Sequence, residues 1–78
     1  MASERRKTEG FAVCIRNAGF AASLDVRKLY AVVGDRQAER NDLIRVIDES
    51  GEDYLYPSEF FQKLKLPAGI QRALRLAS

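Results

Sequence analysis

Four acidic side chains, Asp48, Glu49, Glu52 and Asp53, fall within one short stretch. A carboxylate cluster of that density is the first place to look for a bound cation or for paired acid–base chemistry. Its spacing argues against both. A calcium loop alternates its Asp or Asn ligands and ends on a bidentate Glu, whereas here adjacent acids flank Ser50-Gly51. Asp in the first position and Gly in the fourth are what a type I turn asks for, so a solvated hairpin tip is the expected setting. Carboxylates working on a glycosidic bond need a cleft between them, and a chain of 78 residues has little room for one.

Nucleophilic chemistry fares no better. The chain has no histidine, which removes the commonest general base at neutral pH and any Ser-His or Cys-His pair. The single cysteine, Cys14, can form neither an internal disulfide nor a thiolate zinc site. It reads as a small packing residue. No catalytic residue, metal or cofactor is expected, and the chain is not expected to be an enzyme.

Contact chemistry is better supplied. Arg27, Lys28 and Arg45, with Arg5, Arg6 and Lys7 near the N-terminus, offer positive charge. Nucleic-acid binding wants such charge clustered beside stacking aromatics. The net charge is +2, however, and residues 48–59 hold five acids and no base, so no continuous basic stripe is visible. Tyr54 and Tyr56 are the second contact candidates, and hairpin register decides where they point. A three-residue turn pairs Val46 with Tyr54 and Ile44 with Tyr56, turning both rings to the core face. A two-residue turn at Ser50-Gly51 throws both outward beside Arg45 and Ile47. The first register avoids facing Asp48 with Asp53 and Glu49 with Glu52, and is favoured for that reason. If the rings face out, Arg45, Ile47, Tyr54 and Tyr56, with Arg27 and Lys28, form the candidate contact surface.

The elements that must position these residues are short. Phe11, Val13 and Ile15 alternate with Ala12, Cys14 and Arg16, the period of a half-buried strand. Asn17-Ala18-Gly19 ends it, and Phe20 and Leu24 pin an Ala/Ser-rich excursion at two apolar points. Lys28 to Val33 is a strand apolar on both faces, as in a small curled sheet. Within the polar stretch that follows, Asp35 can cap a turn or two of helix through Glu39. Leu43 to Asp48 and Asp53 to Tyr56 make the hairpin, with Gly51 as a left-handed bulge. Pro57 stops the second of these strands. Phe60 to Leu64 is a short fifth strand. Pro67 opens a helix, about residues 67–77, with Ile70, Ala73, Leu74 and Ala77 on one side. Residues 1–10 have no large apolar side chain after Met1 and are expected to be a mobile segment; residues 11–78 form the single domain.

The pattern Leu24, Lys28-x-Tyr30-x-Val32, Ile44-x-Val46-x-Asp48, the Gly-centred hairpin, Tyr54-x-Tyr56-Pro57 and Phe60-Phe61 resembles a group of short bacterial proteins of unassigned activity with SH3-like barrels. The resemblance covers roughly residues 11–66, and DESGEDYLYP is its distinctive part. It implies a mainly β fold, a small five-stranded, partly open SH3-like barrel with a short C-terminal helix. It implies no catalytic residues.

Composition sets the remaining bounds. A small chain without disulfides or a metal site must hold together by burial, which suits a reducing compartment. No apolar run reaches the length of a membrane span and the N-terminus lacks a secretion signal's apolar stretch, so the cytoplasm is the expected location and no membrane partner is expected. The expected function is a protein-interaction or small regulatory binding module. The alternative is a nucleic-acid- or ribosome-associated accessory.

Overall fold

The computed structural model describes residues 8–77. The elements run β1 (Thr8–Cys14), β2 (Leu29–Val33), α1 (Arg36–Arg40), β3 (Leu43–Ile47), β4 (Asp53–Pro57), a one-turn 3-10 helix (Ser58–Phe60), β5 (Phe61–Leu64) and α2 (Ala68–Ala77). The five strands form one antiparallel sheet in the order β4-β3-β2-β1-β5, curled but not closed, with β4 and β5 at its edges. The fold is mainly β with a short C-terminal helix. Thr8, Glu9 and Gly10, expected within a mobile segment, are strand; the rest of that segment, with Arg5, Arg6 and Lys7, lies outside the described residues.

The concave face carries the core: Ala12, Cys14, Leu24, Tyr30, Val32, Ile44, Val46, Tyr56, Phe60 and Phe61. This reverses the expected facing of β1. Ala12 and Cys14 point inward and are fully buried, while Val13 is half-buried and Ile15 is 49% exposed. The reason is position. β1 is flanked on both sides, by β2 and β5, and the aromatic rings of Tyr30, Phe61 and Phe60 come from its neighbours. Small side chains fit beneath those rings where large ones would overfill the space. Phe11 is buried on the convex face instead, opposite Ala31 and Leu64.

The excursion between β1 and β2 is pinned as its apolar residues suggest. Leu24 is fully buried, and the Phe20 ring lies edge-on to Tyr56 at 5.0 Å and to Phe60 at 6.0 Å. Its backbone is tied down as well, since the Glu49 N–H donates to the Ser23 carbonyl at 3.0 Å. The polar stretch after β2 does hold a helical turn. Asp35 caps α1 by accepting from the Ala38 N–H at 3.0 Å. At the other end of the chain the helix begins one residue later than expected: the Pro67 carbonyl accepts from the Gln71 N–H at 3.0 Å, which puts Pro67 at the cap rather than in the first turn. α2 touches the sheet sparsely. Leu74 reaches the convex groove formed by Phe11, Leu29, Ala31 and Ile47, while Ile70 stays 50% exposed.

Candidate functional site

The β3–β4 hairpin takes the three-residue register, with Val46 opposite Tyr54 and Ile44 opposite Tyr56. The Gly51 N–H donates to the Asp48 carbonyl at 2.9 Å, and Gly51 adopts φ +85°, the left-handed conformation that glycine tolerates. The two tyrosines nevertheless part company. Tyr56 is 4% exposed, within the core, whereas Tyr54 is 52% exposed. Phe20 covers the ring of Tyr56, but Tyr54 lies nearer the hairpin tip on an edge strand and overhangs the end of the core.

Asp48 is not a solvated tip residue. It is 6% exposed. Its carboxylate accepts from the Tyr56 hydroxyl at 2.5 Å, and from the Ser50 N–H and hydroxyl at 2.9 and 2.5 Å. Burial pushes its pKa up, but the Ser50 and Tyr56 hydroxyls and the Ser50 N–H outweigh burial and hold it below the ordinary carboxylate range. A buried anion needs such partners. These bonds hold the Asp48 carboxylate to the hairpin's own turn and second strand. Beside it, the Glu49 carboxylate takes an ion pair from Lys28 and accepts from the Tyr30 hydroxyl at 2.6 Å. Lys28 and then Tyr30 lower its pKa. The same Tyr30 oxygen accepts from the Asp25 N–H at 2.7 Å, so the excursion, β2 and the hairpin meet at one phenol. Burial, reinforced by Glu49, raises the pKa of that phenol.

The candidate contact surface read from the sequence is therefore dispersed. Tyr56 is internal and presents nothing outward. Arg45 and Ile47 lie on the convex face, away from Tyr54. The Arg45 guanidinium is clamped between Asp35 at 2.8 Å and Asp53 at 3.1 Å, and Ile47 lines the groove that Leu74 enters. Lys28 is committed to Glu49. Arg27 is exposed on a left-handed turn, φ +70°, where its N–H donates to the Cys14 carbonyl at 2.7 Å. Of the six, Tyr54 alone sits at an open aromatic surface.

What that tyrosine joins was not singled out by the sequence as contact surface. Phe20 and Ser23 from the excursion and Asp48, Ser50, Tyr54, Leu55 and Tyr56 from the hairpin line one groove of about 340 Å³. Phe20 is 39% and Leu55 40% exposed. Phe20 was visible in the sequence as an apolar anchor in a polar loop. Leu55 carried no signal; opposite Arg45, it turns its side chain to the convex face and meets the groove along the strand edge.

Cys14 has no exposure, its thiol donates to the Arg16 carbonyl at 3.1 Å, and burial raises its pKa, the opposite of an activated nucleophile. Among the described residues no group of three or more His, Cys, Asp or Glu is placed to hold a metal ion, and no helix is long and apolar enough to cross a membrane. No family model, curated protein or solved structure matches the chain.

Proposed function

We propose that the chain is a non-catalytic protein-binding module and that it contacts its partner through the groove between the β1–β2 excursion and β4. The observation that carries this reading is the meeting of Phe20 and Tyr54, each more than a third exposed, around a single depression. Scattered exposed apolar residues are ordinary, but aromatic ones gathered at a concavity are what anchoring sites are made of. An SH3-like barrel is the finer reading of the fold. Strand order, the long excursion after β1 and the 3-10 turn between β4 and β5 support it. The nucleic-acid reading loses support from the commitment of Lys28 and Arg45 to carboxylates.

Panning a displayed random-peptide library on the immobilised chain tests this. The expected result is a set of enriched peptides whose binding falls about tenfold or more with Tyr54→Ala or Phe20→Ala, the loss typical of an anchor residue. Enrichment of nothing, together with steeply salt-dependent retention on a nucleic-acid column, would overturn it in favour of the alternative.

A further inference from the structure

We infer that the segment held in this groove is an extended, basic peptide that joins the sheet as an added strand along the free edge of β4. This rests on the binding-module reading and names its partner chemistry. Three features of the structure converge on it.

The first is the backbone of β4. The Asp48 N–H donates to the Glu52 carbonyl at 3.0 Å and the Ser58 N–H to the Asp42 carbonyl at 3.0 Å. Those bonds and the register make 48/52, 46/54, 44/56 and 42/58 the hydrogen-bonded pairs. Tyr54 and Tyr56 thus turn their backbone groups toward β3. Asp53, Leu55 and Pro57 turn theirs away from the sheet, on a side where β4 has no strand neighbour among the described residues. The edge offers N–H groups and carbonyls at Asp53 and Leu55, a ladder that an extended peptide completes; the Pro57 carbonyl, at the start of the 3-10 turn, is already taken by that turn. The second is the groove itself, which adjoins that edge at Leu55 and is walled by Phe20 and Tyr54. Its size suits one large side chain of the added strand, projecting at every second residue. The third is charge. Residues 48–59 contain five acids and no base; Glu49, Asp53 and Glu59 are paired with Lys28, Arg45 and Arg16, which leaves Asp48 and the exposed Glu52 without a cation among the described residues. The other edge, β5, is a poorer seat. It carries Lys63, with Lys65 just beyond, and the Phe61 N–H is already given to the Ser58 carbonyl.

The test uses the whole chain, isotope-labelled, titrated to millimolar concentration with acetyl-Lys-Val-Lys-Phe-Lys-Val-Lys-amide and with its Glu-for-Lys counterpart. The basic peptide is expected to slow hydrogen exchange at the Asp53 and Leu55 amides and to shift the Phe20 and Tyr54 ring signals; the acidic one is expected to do neither. Leu55→Pro removes one outward N–H without touching the β3–β4 ladder. It is expected to weaken binding about tenfold, the scale of one hydrogen bond with its acceptor stranded. N-methylating alternate peptide amides, which leaves the protein untouched, should weaken it similarly. Ring shifts without protection of the β4 amides, equal binding of the acidic peptide, or indifference to N-methylation would overturn strand addition while leaving the groove a binding site. Protection of Leu55 that grows with protein concentration alone would assign the edge to a second copy. No response to either peptide would overturn the inference, and if library panning also yields no ligand the module reading falls with it.

Discussion

Asp48 is a carboxylate kept ionised inside the protein by three neutral donors and no cation among the described residues. Removing one side of such an arrangement costs more than the bond was worth, because the remaining group is left buried without a partner. Tyr56→Phe, which keeps the ring and its contact with Phe20, is expected to destabilise the fold by about 1–3 kcal/mol in urea unfolding. The protonation chemistry has a definite sign. Asp48 and Glu49 titrate below their ordinary values of 3.8 and 4.5, so their contribution is present above those values and is lost as pH falls through the lower folded-state values. Burial and then the adjacent carboxylate raise the phenols of Tyr30 and Tyr56. Their contribution is full below the ordinary 10.0 and is lost as pH rises beyond it. The urea midpoint is therefore expected to be level from about pH 5 to 9 and to fall on both sides. Asp48→Asn should flatten the acid limb, and Tyr56→Phe the alkaline limb. The sequence placed Asp48 and Gly51 correctly at the two ends of one four-residue turn. It did not reveal the burial of Asp48, because the partner that draws it inward, Tyr56, is fixed by a register that turn chemistry alone left open.

α1 owes its place to one residue that works at both ends of a contact. Asp35 caps the helix with one carboxylate oxygen and holds the Arg45 guanidinium with the other. The Ala38 N–H, then Arg45, lowers its pKa. Asn can replace the cap but not the charge, so Asp35→Asn should lower Tm less than Asp35→Ala, with both melts cooperative. Gly51 makes a cleaner backbone test. An added methyl there would meet nothing within 4 Å, so any cost comes from φ +85° alone. Gly51→Ala is expected to destabilise by about 1–2 kcal/mol, read from the urea midpoint. Most elements were legible from alternation, turn residues and proline. The facing of β1 was not. Phe11, Val13 and Ile15 have the larger side chains, and period-two reading gave them the core. The volume delivered by Tyr30, Phe60 and Phe61 from distant segments reversed it. The contact groove was hidden for a related reason, since the partial covering of Phe20 is not decided until strand order makes β4 an edge.

At the scale of the whole molecule, α2 is an appendage to a sheet that already has a contiguous core without it, for no residue of that core belongs to the helix. A chain ended after Leu66 is expected to keep its β circular dichroism and a single cooperative unfolding transition, with a lower urea midpoint because Phe11, Leu29 and Ala31 lose the cover of Leu74. Loss of cooperative folding on that truncation would show the helix to be part of the structural unit. The strand order has a further effect, on time rather than on stability. β1 meets β5, with Phe11 opposite Leu64, so the sheet is completed by segments from opposite ends of the chain. The β3–β4 hairpin, held by its own turn, can assemble locally; the closing ladder must wait for nearly the whole polypeptide to be gathered in.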